Sequence, residues 1–373
     1  MKMNTLQRRT FLLVAHALFS CQLLGASSQS GIVVGWGYNP SGEATGVSSF
    51  PLSNGVPMLV DNPYATGRVT VARVVLNNVT AISASESLGL ALRADGTVVG
   101  WGDNYKGRAS GTETSVSHPA SGPVVIGGLA LSNVISIAGG GFSIGIKRDG
   151  TVVAWGENTV PTGLSNVVAA ATHEFTSLAL RKDGSVVGWD SASWSPVRGQ
   201  MHELQELSNI VAVAVGGGGN GGNITRNVAL KKDGTVATWG TETTYGDMTP
   251  PAGLSNVVAI AVGRGHSLGL KMDGTVFGWG FNREAQATGV PSKGEQYVSS
   301  GLVKLNGQVL SNVVAVAAAE QFSMALKRDG TVVGWGLGYP STPAGLSNVT
   351  AIAAGRYFCL AITTNASFLE NKK

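Results

Sequence analysis

"DGTVVGWG" occupies residues 95–102 and returns unchanged at 329–336. Near-copies stand at 149–156, 183–190, 233–240 and 273–280, and a trimmed form, "GIVVGWG", at 31–37. A run of β-branched residues entered through Asp-Gly reads as a strand leaving a tight hairpin turn. Upstream lies a second recurring run, as in "LSNVVAIAVGRGHSLGLKMDG" (254–274), with relatives beginning at Leu76, Leu131, Leu164, Leu207, Leu310 and Leu346. "NVVAIA" and "HSLGLK" alternate or run short and apolar, which argues for strands, and the chain after residue 28 carries no helical period. Each unit therefore reads as strand, loop, strand, Asp-Gly turn, strand and a variable connection.

The repeat Trp residues 36, 101, 155, 189, 239, 279 and 335 are separated by 65, 54, 34, 50, 40 and 56 positions, so only the connection varies. It is long after Trp36, Trp101 and Trp279, where a fourth strand fits, and almost nothing but "ENTVP" (157–161) after Trp155. The cut of the repeats decides the architecture. "GIVVGWG" has no "LSNV…SLAL" before it, and the last such run, "LSNVTAIAAGRYFCLAI" (346–362), has no "DGTVVGWG" after it. Seven complete units arise when the C-terminal strands pair with the N-terminal one, and closure of that kind protects edge strands. The expectation is an all-β fold: a seven-bladed β-propeller over residues 29–365, followed by a tail, 366–373.

Laid out this way, "GRGHSLGLKMDGTVFGWGFN" (263–282) resembles the repeat of the regulator of chromosome condensation family, over about residues 31–365. In repeat length and in the style of "VPTGLSNVVA" (160–169) the chain is similar to exported bacterial members, β-lactamase-inhibiting propellers among them. The family's His before "SLAL" survives as His266 alone; the other six places hold Leu88, Phe142, Thr176, Arg226, Phe322 and Phe358. The glycine-rich connection after the Trp is degraded, as in "NYKGRAS" (104–110), and Asp190 replaces the usual Gly. The nucleotide-exchange activity of the eukaryotic namesake is therefore not carried over.

Composition agrees with a turn-rich β protein: 53 Gly, 43% apolar and only 13% charged residues exclude a disordered chain, and no G-x-y period supports collagen. A net charge of +4 gives no reason to expect nucleic acid. Residues 1–28 read as an export signal: Lys2, Arg8 and Arg9 precede "FLLVAHALFSCQLL" (11–24) and the small residues "GASS" (25–28). That apolar run is short for a membrane span, so no transmembrane segment is expected after its removal. "RRTFLL" (8–13) also resembles a twin-arginine signal, and lipid anchoring at Cys21 stays open. Removal of the signal leaves Cys359 as the one thiol, so an exported, monomeric protein here relies on its core and not on disulfides.

No catalytic set stands out. His118, His173, His202 and His266 lack metal-ligand spacing, no nucleophile elbow or P-loop occurs, and neither metal nor cofactor is expected. "GGGGNGGNITRN" (216–227) lacks the helix and Lys of a phosphate cradle. The Trp ring suits packing between blades, the Gly before it a close backbone approach, and Asn39, Asn104, Asn158 and Asn282 turns at strand ends. By parity, the Asp-Gly turns lie on one face, a solvated basic rim including Lys231 and Lys232, and the "G-x-x-H" and "WG-x-N" loops on the other. That second face offers Tyr38, Tyr105, Phe175, Arg264, His266, Phe281, Glu320, Arg356 and Tyr357, aromatic and charged residues of the kind that anchor protein interfaces. The resemblance to inhibitor-type propellers implies docking on the same face. The expected function is non-enzymatic binding of a protein partner. The alternatives are a polysaccharide-acting hydrolase or lyase using Glu86, Glu174 or Glu320, and a structural surface module.

Overall fold

The computed structural model describes residues 30–368, leaving aside 50–51, 54–55, 58–62, 113–118, 157–159, 175, 191–201, 205–206, 218–224, 241–248, 294–296 and 366. Residues 1–28, expected to be an export signal, and Asn158, Phe175 and His118 lie outside the described residues, as does most of the tail.

Every repeat forms an antiparallel meander. Val79–Ser85, Leu88–Arg93, Val98–Asp103 and Pro119–Pro123 hydrogen-bond in that order. Three-strand meanders recur from Val134–Gly139 to Val152–Trp155, from Ile210–Gly217 to Val236–Gly240 and from Val313–Ala318 to Val332–Gly336. Four-strand ones run from Val167–His173 to His202–Glu203 and from Val257–Val262 to Val298–Leu302. The long connections after Trp36, Trp101 and Trp279 do supply fourth strands of five residues, and the connection after Trp189 supplies a two-residue one, His202–Glu203. In the seventh sheet of three or more strands, Ile32–Tyr38 sits between Phe358–Thr363 and Tyr64–Arg68, with Trp36 opposite Cys359. The N-terminal strand thus occupies the place that "DGTVVGWG" fills elsewhere.

The two residue types that punctuate the repeat have separate tasks. The Asn of each "SNV", "SNI" or "NNV" (Asn78, Asn133, Asn166, Asn209, Asn256, Asn312 and Asn348) takes a positive φ of 52–60°, a conformation Asn tolerates better than most residues. In that conformation its carbonyl accepts a backbone hydrogen bond from its own sheet's next hairpin, as in Ala94 to Asn78 at 2.9 Å. The hairpin is longer than the two-residue turn the dipeptide suggests. Arg93 N–H bonds to Thr97 C=O and only Gly96 has a positive φ, so Ala94, Asp95 and Gly96 form a three-residue connection. Asp95 accepts from the backbone N–H and hydroxyl of Thr97, and the five other Asp-Gly turns repeat this pair of bonds. The same turns stitch neighbouring sheets: Gly96 C=O accepts from Val134, Gly150 from Val167, Gly184 from Ile210, Gly234 from Val257, Gly274 from Val313 and Gly330 from Val349. Gly31 makes the matching bonds with Val79, at 3.1 Å in both directions.

The core lies between sheets. Leu88, Leu90 and Val98 of one sheet pack on Leu131, Val134, Ile137 and Trp155 of the next, and Val33 and Leu360 pack on Val79, Ile82 and Trp101. Six of the seven repeat Trp are at most 6% exposed. Each stands opposite a small or short residue: Gly89, Ser143, Ser177, Asn227, Ser267, Ser323 or Cys359. Cys359 therefore fills a Ser slot beside a Trp and is fully buried.

Candidate functional site

The three long connections open with one built loop. Asn39 accepts the backbone N–H groups of Ala44 and Thr45 on Oδ1, at 2.8 and 2.9 Å, and donates to the Val47 carbonyl. Asn104 holds Ala109 and Ser110 in the same way, and Asn282 holds Ala287 and Thr288. The residue four after each Asn (Glu43, Arg108 or Gln286) offers its backbone carbonyl to the indole N–H of a neighbouring sheet: Trp101 at 2.9 Å, Trp155 at 2.9 Å and Trp335 at 3.0 Å. The next residue, a fully buried Ala, lays its carbonyl against the glycine that precedes the loop's own Trp. A Cβ on Gly35, Gly100 or Gly278 would stand 1.8–2.0 Å from that oxygen. In the repeats of Trp155 and Trp239, whose connections are short, Ala154 and Thr238 replace the glycine. The connection described as degraded from its glycine content is thus intact in three repeats, held by side-chain to backbone bonds.

These loops and the "G-x-x-H" loops lie at one end of the strands, as parity requires. Tyr38 N–H bonds to Tyr357 C=O, Asp103 to Ser87, Phe281 to Gly265 and Leu337 to Gln321. At this end several candidates meet. Tyr64 packs edge-on against Tyr38 (ring centroids 5.8 Å), Tyr38 against Tyr357 (6.1 Å), and the Arg356 guanidinium lies over Tyr357 at 5.2 Å. Arg356 Nε and Arg264 Nη1 both donate to the Glu320 carboxylate, whose side chain is 10% exposed. The result is one continuous row, Tyr64–Tyr38–Tyr357–Arg356–Glu320–Arg264. Phe281 forms a separate pair with Tyr297 (6.4 Å), with Arg283 over the Tyr297 ring at 5.3 Å. Tyr105 stands apart in a short turn, 44% exposed, with Lys106 over its ring.

His266 does not reach the surface. It is 0% exposed, its Nε2 lies 2.7 Å from Ser323 Oγ, and Ser323 in turn donates to the Gln286 carbonyl. Burial and the nearby Arg226 charge hold its pKa down at about 3, so it is a neutral strut between sheets. Phe322 is likewise fully buried, tilted against Tyr339. Tyr64 and Tyr297 were missed, because one opens and the other immediately precedes a fourth strand that no repeat pattern marks. Of the three carboxylates weighed for hydrolysis, Glu320 is held by two guanidiniums. Glu174, with φ +45°, has its pKa raised by burial and, beyond the opposing pull of His173, by the charge of Glu86. No cluster of three or more metal-ligating side chains occurs among the described residues, nor any helix long and apolar enough to cross a membrane.

The sequence signature of the regulator of chromosome condensation (RCC1) repeat matches residues 79–108 and 257–286. Prp20p of Saccharomyces cerevisiae superposes with a TM-score of 0.62 at 18% identity, covering 97% of this chain and 95% of that one. Human WBSCR16 superposes with a TM-score of 0.61 at 16% identity, over 89% of this chain and 98% of the other. Among curated proteins, protein pim1 of Schizosaccharomyces pombe is 25% identical over 340 residues, 83% of this chain and 54% of its own length. The E3 ubiquitin-protein ligase HERC2 of Homo sapiens is 27% identical over 290 residues, 67% of this chain and 6% of its own. The chain thus spans about half of pim1 and a small part of HERC2. Fold and repeat together define an all-β protein of the propeller class. The repeat signature and the superposition on Prp20p support the RCC1-repeat β-propeller family as the one this chain resembles.

Proposed function

We propose that this chain is an exported, non-enzymatic scaffold, a single seven-bladed ring sealed by Ile32–Tyr38, that binds another protein through the face carrying the Tyr64–Arg264 row. The ring is supported by the turn-to-strand bonds between successive sheets and by the Gly31–Val79 bonds that complete the series. The binding assignment rests on that row: aromatic rings and guanidiniums on loops over a rigid scaffold are what protein hot spots are made of. Family members offer precedent for protein binding: work on the Prp20p structure describes binding to Gsp1p and histones, and yeast RCC1 has been crystallised bound to Kap60. Export rests on the order of charged, apolar and small residues in 1–28.

The test is capture from the native extracellular fraction with residues 29–373 and with the same protein carrying Arg356→Ala and Tyr357→Ala. A partner held by the first and lost by the second supports the assignment; a partner held equally by both removes it. Recovery of the protein outside the cell with an N-terminus near Gln29 supports export, and an intact residue 1–28 segment on protein confined to the cytoplasm contradicts it.

A further inference from the structure

The space between the inner strands opens on the same face as a cavity of about 400 Å³, within the size range of small-ligand sites. Its walls are aliphatic, from residues such as Ala84, Val215, Ala261, Ala317 and Ile352. Its charges gather at the mouth and are unevenly matched. Glu320 takes both Arg264 and Arg356. Arg108 is engaged most closely by Asp103 and lies 4.0 Å from Glu86. Glu174 accepts no hydrogen bond and makes no contact ion pair among the described residues; burial raises its pKa, the charge of His173 pulls against that, Glu86 adds to it, and Arg264 and Arg356 draw on it from beyond contact. Thr172, 7% exposed, lines the same cavity, and its hydroxyl has no hydrogen-bond partner there.

A carboxylate with no contact cation, a second one half-matched and an aliphatic shaft fit one ligand shape. That shape is an ammonium on an unbranched hydrocarbon stem. We propose that the mouth receives a lysine side chain of the protein partner, with its ammonium on Glu174 and Glu86 and its methylenes against the Ala and Val walls. This deepens the docking-face assignment and rests on it. The ammonium donors find carboxylate acceptors in Glu174 and Glu86, and the stem buries apolar surface as lysine stems do. Guanidinium is the poorer match, because its planar fork needs acceptors arrayed in one plane. An anion is disfavoured, because the two arginines are already committed to Glu320.

The probe is Nα-acetyl-lysine methylamide, titrated into residues 29–373 with labelled alanine methyl groups and compared with its norleucine counterpart, which keeps the stem and lacks the charge. The lysine probe should shift the Ala84, Ala261 and Ala317 methyls saturably and the norleucine probe should not. Glu174→Gln and Glu86→Gln, at half-exposed loop positions, should each weaken the lysine probe about tenfold while thermal unfolding stays unchanged. No shift with lysine, an equal response to norleucine, or affinity untouched by Glu174→Gln overturns the proposal. With a captured partner the two ideas separate. If acetylating the partner's lysines leaves affinity intact while Arg356→Ala reduces it, the face stands and the lysine assignment falls.

Discussion

Trp36 donates its indole N–H to the Pro340 carbonyl at 2.9 Å, joining residues 304 positions apart. Trp101, Trp155 and Trp335 make the same type of bond to carbonyls only 47–58 positions away. The bond at Trp36 therefore does between the chain's two ends what the others do between consecutive repeats. Removing residues 29–37 should strip the ladder from Phe358–Thr363 and empty the Trp36 slot, a loss of several kcal/mol, about 3–5 for the aromatic alone. Trp36→Phe, which removes mainly the N–H and some ring area, should cost about 1–2 kcal/mol. Thermal unfolding measures both, and a truncated protein that melts with the intact one contradicts the closed ring.

Gly278 lies under the Ala287 carbonyl, where a Cβ would approach to 1.8 Å, whereas a Cβ at Gly188 would meet nothing closer than 3.4 Å. Gly278→Ala should displace the Asn282 loop and cost about 2–3 kcal/mol, in line with overpacking. Gly188→Ala should be nearly neutral, as the natural Ala154 suggests. Chemical denaturation of the two variants checks the contrast, and equal effects would refute the account of the glycine.

Glu43 is 1% exposed, and burial lifts its pKa from 4.5 to about 7 against the pull of local backbone bonds, among them the Ser41 N–H. A carboxyl that holds its proton more tightly when folded favours folding below its unfolded pKa. That advantage fades as pH rises from 4.5 to about 7, by roughly 3 kcal/mol in all. Gln286 occupies the corresponding place in a later loop and accepts the corresponding backbone N–H, from Glu284 at 2.9 Å. Glu43→Gln should therefore leave stability unchanged in acid, raise it above neutrality and flatten the slope between. Melting temperature against pH for both proteins decides, and an unchanged slope assigns the dependence to another group.

On the proposed docking face, Tyr357→Ala or Arg356→Ala should weaken a captured partner by more than about 1 kcal/mol. Reversal of Lys231 and Lys232, on the Asp-Gly face, should alter association rate and salt dependence far more than affinity. Surface plasmon resonance separates the two effects. The opposite pattern moves the binding site to the basic rim.

The strands were readable because "TVVGWG" and "SLAL" recur as short apolar runs, buried along nearly their whole length, and the seam because the repeats are cut unevenly. The Asn39, Asn104 and Asn282 loops were not, since their order comes from one side chain gripping amides five and six residues on. No periodicity reports such a bond. Aligning the three long connections on Asn would have exposed it as N-x-x-x-[ERQ]-A-[ST]-G. His266 was misplaced for a related reason: its loop position was legible, but not that its ring turns inward to Ser323. Tyr38, Tyr357, Arg356, Glu320 and Arg264 were legible individually, while their junction depends on strand ends more than 300 residues apart.

The seam also has a mechanical character. Ile32 pairs with Thr363 and Gly37 with Phe358 in antiparallel register, so the two chain directions leave the ladder at the same end. Tension applied through those ends would load the Ile32–Thr363 pair first and then each pair in turn, as a zipper is opened, and not the whole ladder in shear. The proposed ring, its thermal stability spread over every inter-sheet core, would thus yield to a modest pull at its termini, one hydrogen-bonded pair at a time.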